Sequence, residues 1–180
     1  MVFLHLATGF EELEAMTIYT VLKRGGVDIQ FICLTDNRQV TGARGATIIA
    51  NQSISQADYN NCEMIILPGG ALGAKNLLAN EILAKKLLEF KSSKKLIAAI
   101  CAAPMVLGEL GILSGHDATS YPGFEEHLKG ANLSSESVVV SGNIVTSRGP
   151  GTALEFAFKL LEILKGTAET DKIKSQMLVK

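Results

Sequence analysis

Three stretches of this 180-residue chain hold residue types that can do chemistry. The first is Cys101, set between the apolar run Lys94-Lys-Leu-Ile-Ala-Ala-Ile100 and the segment Ala102-Ala-Pro-Met-Val-Leu-Gly108. The run predicts a buried parallel strand and the following segment a helix, with Pro104 in the first turn, where a missing N–H is tolerated. A cysteine at that junction is lifted out of the sheet toward free N–H groups and the positive end of the helix. Such settings lower a thiol pKa from about 8.5 to roughly 3.5–7.5. The position equally suits a small buried structural residue, so position alone leaves both readings open. The second stretch is Pro68-Gly69-Gly70, whose glycines let backbone N–H groups approach an anion or serve as a plain loop. The third is the acidic cluster Glu11, Glu12 and Glu14. Glu11 and Glu12 read as a solvated helix start, where acids favour the dipole. Glu14, three residues after Glu11 and next to Leu13, can face inward.

These residues need elements to position them. Residues 2–7 read as a first strand and 11–24 as a helix with Leu13, Met16, Thr17 and Val21 on its apolar face. Gly25-Gly26 ends that helix and 27–34 is a second strand, a strand–helix–strand unit long enough for a parallel crossover. Residues 38–41 and 46–50 predict a hairpin at a sheet edge, and 63–67 a buried strand running into the glycines. An amphipathic helix over 80–90 carries Ile82, Leu83, Leu87 and Phe90 on one side. Beyond the Cys101 elbow come a short strand at 118–121, a short helix at 123–129 and a hairpin of 136–140 with 143–147. An apolar helix at 152–165 (Leu154, Phe156, Phe158, Leu160, Leu161, Leu164) and a polar helix at 167–180 complete the chain. The alternation predicts one α/β domain over 1–180, a mainly parallel sheet with helices on both faces. The carboxyl ends of its strands, where ligands bind in such sheets, hold all three stretches.

Composition narrows the function. The chain is 47% hydrophobic and 19% charged, so it is globular, and a net charge of -1 gives no footprint for nucleic acid or an anionic membrane. Three cysteines without a close pair argue for a reducing, cytoplasmic setting. The apolar stretch from Leu96 to Leu113 is broken by Pro104, Gly108 and Glu109, which argues against a membrane span, and no secretory leader precedes Val2. Lys75 follows the glycines without a Gly-Lys-Ser/Thr run, and neither Gly42-Ala-Arg-Gly45 nor Gly149-Pro-Gly151 fits a dinucleotide fingerprint. His5, His116 and His127 lack metal-ligand spacing and read as surface or strand histidines, so no metal is expected. Cys33 reads as core. Cys62, beside Asn60-Asn61, reads as an exposed bystander.

Four motifs occur in order: Gly9-Phe-Glu-Glu-Leu-Glu14, Leu67-Pro-Gly-Gly-Ala-Leu-Gly-Ala-Lys-Asn76, Ala98-Ala-Ile-Cys-Ala-Ala-Pro104 and Thr146-Ser-Arg-Gly-Pro-Gly-Thr152. Together they resemble the ThiJ/PfpI superfamily (class I glutamine amidotransferase-like), and within it the branch of the Parkinsonism-associated protein deglycase. The resemblance implies a flavodoxin-like three-layer sandwich and a homodimer. It implies Cys101 as nucleophile, Glu14 as the helix-one acid beside the sulfur, and Gly70 and Ala102 as oxyanion-type N–H donors. It sets Gly69, Tyr121, Arg148 and Pro150 next to the site and Arg24 and Arg44 as basic residues at the dimer interface. Tyr121 stands where the name-giving member has a histidine, and Ala102 where the protease-like and chaperone-like branches have one. No Cys–His base is therefore evident. Ala103 replaces a common glycine.

The implied activity is that of a cofactor-independent glyoxalase or deglycase. Its partners are small carbonyl compounds such as methylglyoxal and glyoxal, or their amine and thiol adducts. The same cysteine also supports a second function, an oxidative-stress sensor or redox-regulated chaperone switched by oxidation to sulfinic acid.

Overall fold

The structure is a computed structural model that describes residues 1–179. Strand β1 (Val2–Leu6) is buried along its whole length, as a continuous apolar run in a parallel sheet must be. Helix α1 (Glu12–Arg24) leads to β2 (Ile29–Cys33), which pairs parallel with β1. The hairpin β3 (Gln39–Thr41) and β4 (Thr47–Ile49) forms as expected but is not an edge of the main sheet. It is a separate two-stranded sheet drawn to the entry of α1, where Gly9 N–H donates to Thr41 O and Ala43 N–H to Phe10 O. The true edge is the two-residue β5 (Gln52–Ser53) beside β2.

Strand β6 (Met64–Leu67) is followed by α2 (Ala71–Leu78), which the glycine-rich sequence did not announce. Helix α3 (Glu81–Ser92) is capped by Asn80, whose side chain accepts Leu83 N–H. Then come β7 (Leu96–Ile100), α4 (Pro104–Glu109), and β8 (Asp117–Ala118) paired with β9 (Asn132–Leu133) around a 3-10 turn at Glu125–His127. The hairpin β10 (Val138–Ser141) and β11 (Ile144–Ser147) precedes α5 (Ala153–Lys165) and α6 (Thr167–Gln176).

The main sheet has the order β10-β11-β7-β6-β1-β2-β5 and is parallel except for β10. Alternate residues of β1 feed two cores, as period-two side chains do. Val2, Leu4 and Leu6 pack with α1, α5 and α6; Phe3 packs with α2, α3 and α4. The result is an α/β sandwich with helices on both faces. The chain steps from β1 one way to β2 and the other way to β6, so a crevice opens at the carboxyl ends of β1 and β6, the switch point where ligands bind in such sheets.

Four expectations need correcting. The buried row of α1 is Glu14, Ala15, Ile18, Val21 and Leu22, whereas Leu13 and Met16 are 52% and 41% exposed. The helix is rotated so that its acid, not its first leucine, faces the sheet. On α3, Leu83, Leu87 and Phe90 are buried but Ile82 faces out, and on α5 Leu154 does the same. Cys62 is buried, its thiol donating to Met64 O, while Asn60 and Asn61 stay outside. His5 is a strand histidine, fully enclosed, with Nε2 2.6 Å from the Tyr59 hydroxyl and Nδ1 unpartnered.

Burial lowers the His5 pKa to about 3, below the unfolded value near 6.5. The folded state therefore holds His5 neutral while the unfolded chain takes up a proton below about pH 6.5. The stability this residue contributes is present above that pH and is lost as pH falls toward 3. Urea unfolding of wild type and His5→Phe at pH 7.5 and 4.5 tests this. The wild type is expected to lose about 2 kcal/mol more between the two values, and parallel losses in both proteins would refute it.

Candidate functional site

Three loops converge at the switch point. After β1 the chain turns at Gly9, with Phe10 N–H donating to Ala7 O, and enters α1 so that Glu14 lies in its first turn, facing the sheet. After β6, Pro68-Gly69-Gly70 leads into α2, and Glu11 N–H donates to Gly69 O, which ties the first loop to the second. After β7, Cys101 forms the elbow to α4 with φ 66°, a left-handed conformation that costs a non-glycine residue about 1–3 kcal/mol. Hydrogen bonds on both sides impose it: Cys101 N–H donates to Ser147 O at 2.9 Å, and its carbonyl accepts Tyr121 N–H at 2.8 Å. A strained strand-to-helix turn of this kind raises a nucleophile clear of the sheet.

Gly69 is wedged between the acid and the thiol. A Cβ there would stand 2.7 Å from Glu14 Oε2, 2.5 Å from Cys101 Cβ and 3.0 Å from Cys101 Sγ. Gly70 has φ 90°, and a Cβ on it would lie 2.2 Å from Gly9 O and 2.9 Å from Phe10 C, both backbone atoms that cannot swing away. Gly70→Ala is therefore expected to destabilise the fold by about 3 kcal/mol or more. Chemical denaturation reads this directly, and a loss under about 1 kcal/mol would contradict the packing described.

The Glu14 side chain is fully enclosed. Its Oε2 accepts Gly69 N–H at 2.7 Å and its Oε1 has no aligned partner. Burial pushes the carboxyl up to about 7, opposed by the Gly69 N–H and the nearby thiol and assisted by the Glu11 charge. Burial and then the Glu14 charge push the Cys101 thiol up to about 12, against the lowering effect of the Gly70 and Ala102 N–H groups. One expectation changes here. The thiol is not ionised by its helix-end position alone, because desolvation and a facing carboxylate outweigh the two nearby N–H groups and a six-residue helix. The Gly70 and Ala102 N–H groups lie near the sulfur and act to lower its pKa. With the carboxyl pushed up to about 7 and the thiol to about 12, the two facing groups are expected to titrate as a coupled pair whose first proton leaves near neutrality and whose second is held far above it. Cys101 is also the one free cysteine among the described residues that reaches solvent; Cys33 and Cys62 are buried.

The other expected residues fall at three distances. Tyr121 packs its ring on Gly149, and with Arg148 and Pro150 it lines a cleft of about 270 Å³. Arg44, at the tip of the β3–β4 hairpin, shares a second cleft, about 440 Å³, with Gly70 and Glu11. Arg24 is exposed at the far end of α1, ten residues beyond Glu14 and so about 15 Å along the helix axis; within one chain it does not approach the sulfur. Sequence reasoning missed Glu12. It is no mere solvated helix start: its Oε1 accepts Arg44 N–H at 2.7 Å and Ala46 N–H at 3.3 Å, closing the hairpin turn against α1. It also missed Asn76, whose side chain donates to Thr8 O and binds α2 to the first loop. No local pattern marks either residue, because both contacts span more than thirty positions.

Among the described residues no three His, Cys, Asp or Glu side chains are placed to hold a metal ion, and no helix is long and apolar enough to cross a membrane.

Comparison with known proteins bears on the family and the fold. Residues 1–163 match the DJ-1/PfpI family. The chain is 38% identical to Drosophila melanogaster protein dj-1beta, over 97% of this chain and 94% of that protein. It is 32% identical to Caenorhabditis elegans glutathione-independent glyoxalase DJR-1.2, over 91% and 87%. The solved structure of oxidized Toxoplasma gondii DJ-1 superposes with a TM-score of 0.94 at 36% identity, covering 98% of this chain and 97% of that one.

Proposed function

The chain belongs to the DJ-1/PfpI family, and from that premise we propose that it is a cofactor-independent glyoxalase or deglycase in which Cys101 attacks small α-oxoaldehydes or their amine and thiol adducts. The observation that carries this reading is the enclosed Glu14 carboxyl, with a pKa of about 7, against a partly exposed cysteine. A base with that pKa is matched to neutral pH. A relative at 32% identity is named a glutathione-independent glyoxalase.

The chemistry balances without a cofactor. Glu14 takes the thiol proton as the sulfur bonds to the aldehyde carbon of methylglyoxal, then returns it to the carbonyl oxygen, giving a hemithioacetal. The Gly70 and Ala102 N–H groups steady the negative charge during the attack. Glu14 next removes the hydrogen on that carbon and delivers a proton to the neighbouring ketone carbon, while the hemithioacetal hydroxyl proton passes to the former ketone oxygen. One carbon rises to the acyl level and the other falls to an alcohol, so no outside oxidant is needed. Water cleaves the thioester, releasing lactate and the free thiol. With an amine adduct, the amine leaves with a proton when the sulfur takes its place. Supplying methylglyoxal without added thiol and assaying lactate tests the reading: lactate is expected, and its absence over a heat-killed control would refute it.

A second reading has its own support. Cys101 alone among the three cysteines reaches solvent, and a relative's structure is described as oxidized. With hydrogen peroxide as oxidant, the thiolate would take one oxygen to give sulfenic acid and a second to give sulfinic acid. Intact mass and peptide mapping after mild peroxide should find the added oxygen on Cys101 and not on Cys33 or Cys62. Uniform oxidation would count against a sensor.

The exposed Leu13 and Met16 of α1 and Ile49 of the hairpin fit a homodimer that brings Arg24, Arg44 and Pro150 to its interface. Leu13→Glu with Met16→Glu should then yield monomers by sedimentation, and an unchanged mass would contradict that interface. Three unpaired cysteines suit the reducing cytoplasm. Recovery in a secreted fraction would contradict that location.

A further inference from the structure

Cys101 is held in its left-handed conformation by two backbone bonds, and both lead to the carboxyl end of β11. Its N–H donates to Ser147 O at 2.9 Å, and Ser147 is the last residue of that strand. Its carbonyl accepts Tyr121 N–H at 2.8 Å, and two residues before Tyr121 the Thr119 N–H donates to Thr146 Oγ1 at 3.0 Å. A strained turn persists only where its surroundings over-determine it. Whatever fixes the Ser147 carbonyl therefore fixes the elbow.

The Ser147 side chain shows how this is done. The residue is fully buried, and its hydroxyl lies 2.7 Å from Ser137 O and 2.7 Å from Thr152 Oγ1, a favoured separation for a hydroxyl donor and an oxygen acceptor. Each hydroxyl has one proton to give, and a carbonyl only accepts. Ser147 therefore donates to Ser137 O, and Thr152 donates to Ser147. Thr152 Oγ1 in turn accepts Gly149 N–H at 3.1 Å. Gly149 O, 3.0 Å from the same hydroxyl, is already served by Thr152 N–H at 2.9 Å. The result is a directed chain from Gly149 N–H through Thr152 and Ser147 to Ser137 O, in which each bond polarises the next. It ties the 3-10 turn Pro150–Thr152 and the end of β11 to the residue that precedes β10. Water cannot stand in for the Ser147 hydroxyl, because that residue has no exposed surface.

Resting on the reading of Cys101 as the nucleophile, we propose that Ser147 and Thr152 are positioning residues for it. Their coupled hydroxyls aim the Ser147 carbonyl, and through the Cys101 N–H that carbonyl holds the sulfur where it attacks. Ser147 acts through the backbone alone, and Thr152 acts through Ser147.

Thr152→Val and Ser147→Ala each remove one hydroxyl with little change of shape, and two readings on each variant test the proposal. The first is amide hydrogen exchange, which needs no turnover. The Cys101 and Tyr121 amides are expected to exchange at least about tenfold faster than in wild type, beyond any change at Ile66 in the centre of the sheet, because one local bond is worth about that factor. The second is lactate formation from methylglyoxal. There kcat should fall by about tenfold with KM unchanged, since a displaced nucleophile slows the chemistry and not the binding. Thr152→Ser restores the hydroxyl and should return both readings toward wild type. Exchange that rises by one common factor at all three amides would show a contribution to stability alone and would overturn the proposal. A wild-type kcat in a variant with loosened elbow amides would overturn it too, as would a Thr152→Ser protein no better than Thr152→Val. Local loosening in variants of a protein whose wild type makes no lactate keeps the clamp on the elbow and loses the reaction.

Discussion

Cys101→Ala is expected to abolish methylglyoxal turnover, with kcat/KM falling by about a thousandfold or more, while the fold survives. The effect is large because the sulfur forms the bond that splits the reaction into two easier steps, and neither buried cysteine can take its place. The fold survives because alanine keeps the Cβ that stands over Gly69, and the backbone bonds to Ser147 and Tyr121 do not involve the side chain. Alanine also inherits the left-handed φ at no lower cost than cysteine, so stability should stay within about 1 kcal/mol of wild type. Lactate formation and urea denaturation on the same preparation check both halves. Retained turnover in a folded Cys101→Ala would remove the nucleophile from the account.

Glu14→Gln is expected to make the protein slower and more stable at the same time. Turnover should fall by about 10²–10⁴-fold, the range for losing a general acid–base group. An amide still fills the space beside Gly69 but cannot carry a proton. The stability gain follows from linkage. The folded pKa of Glu14, about 7, lies above the unfolded value near 4.5, so the folded state binds more protons between those values. Stability from this group is greatest below pH 4.5 and is lost as pH rises through 7; above that, the fold carries an ionised carboxylate in an enclosed site. Glutamine removes that burden and should add about 2 kcal/mol at pH 8 and little at pH 4.5. Denaturation at the two pH values decides it. A variant less stable than wild type at pH 8 would mean that the carboxylate is better solvated than its enclosure indicates. Loss of function with gain of stability is the pattern expected where an active group is held in an unfavourable state.

The strands around the site are legible in the sequence because a parallel sheet buried on both faces demands unbroken apolar runs, and 2–7, 27–34, 63–67 and 94–100 supply them. The Cys101 elbow is legible for the same reason, with Pro104 marking where the helix begins. The phase of α1 is not, since apolar counting follows Leu13 and Met16 outward and passes over the glutamate that turns in. Helix α2 is hidden by Gly70 and Gly73, which read as loop but are required where the backbone passes Gly9 and Phe10. The burial of Cys62, in a core shared with Phe3 and Leu87, and the hairpin clamp by Glu12 depend on partners far along the chain. The ionisation of the sulfur is hidden most deeply. A strand–helix junction suggests a stabilised thiolate, but the outcome is set by enclosure and by a carboxyl 87 residues away (Glu14 to Cys101).

The central claim is that Cys101 and Glu14 share their protons as one unit, and the pH dependence of Cys101 alkylation by iodoacetamide tests it most directly. In the wild type, the rate should rise through about pH 7 and then flatten, because once the pair has lost its first proton the thiolate share no longer changes with pH. In Glu14→Gln the rate should keep rising beyond pH 8, as for a lone buried thiol. Wild-type and variant profiles with the same inflection would show that the sulfur titrates independently of Glu14, and the proton relay built on that pair would fall.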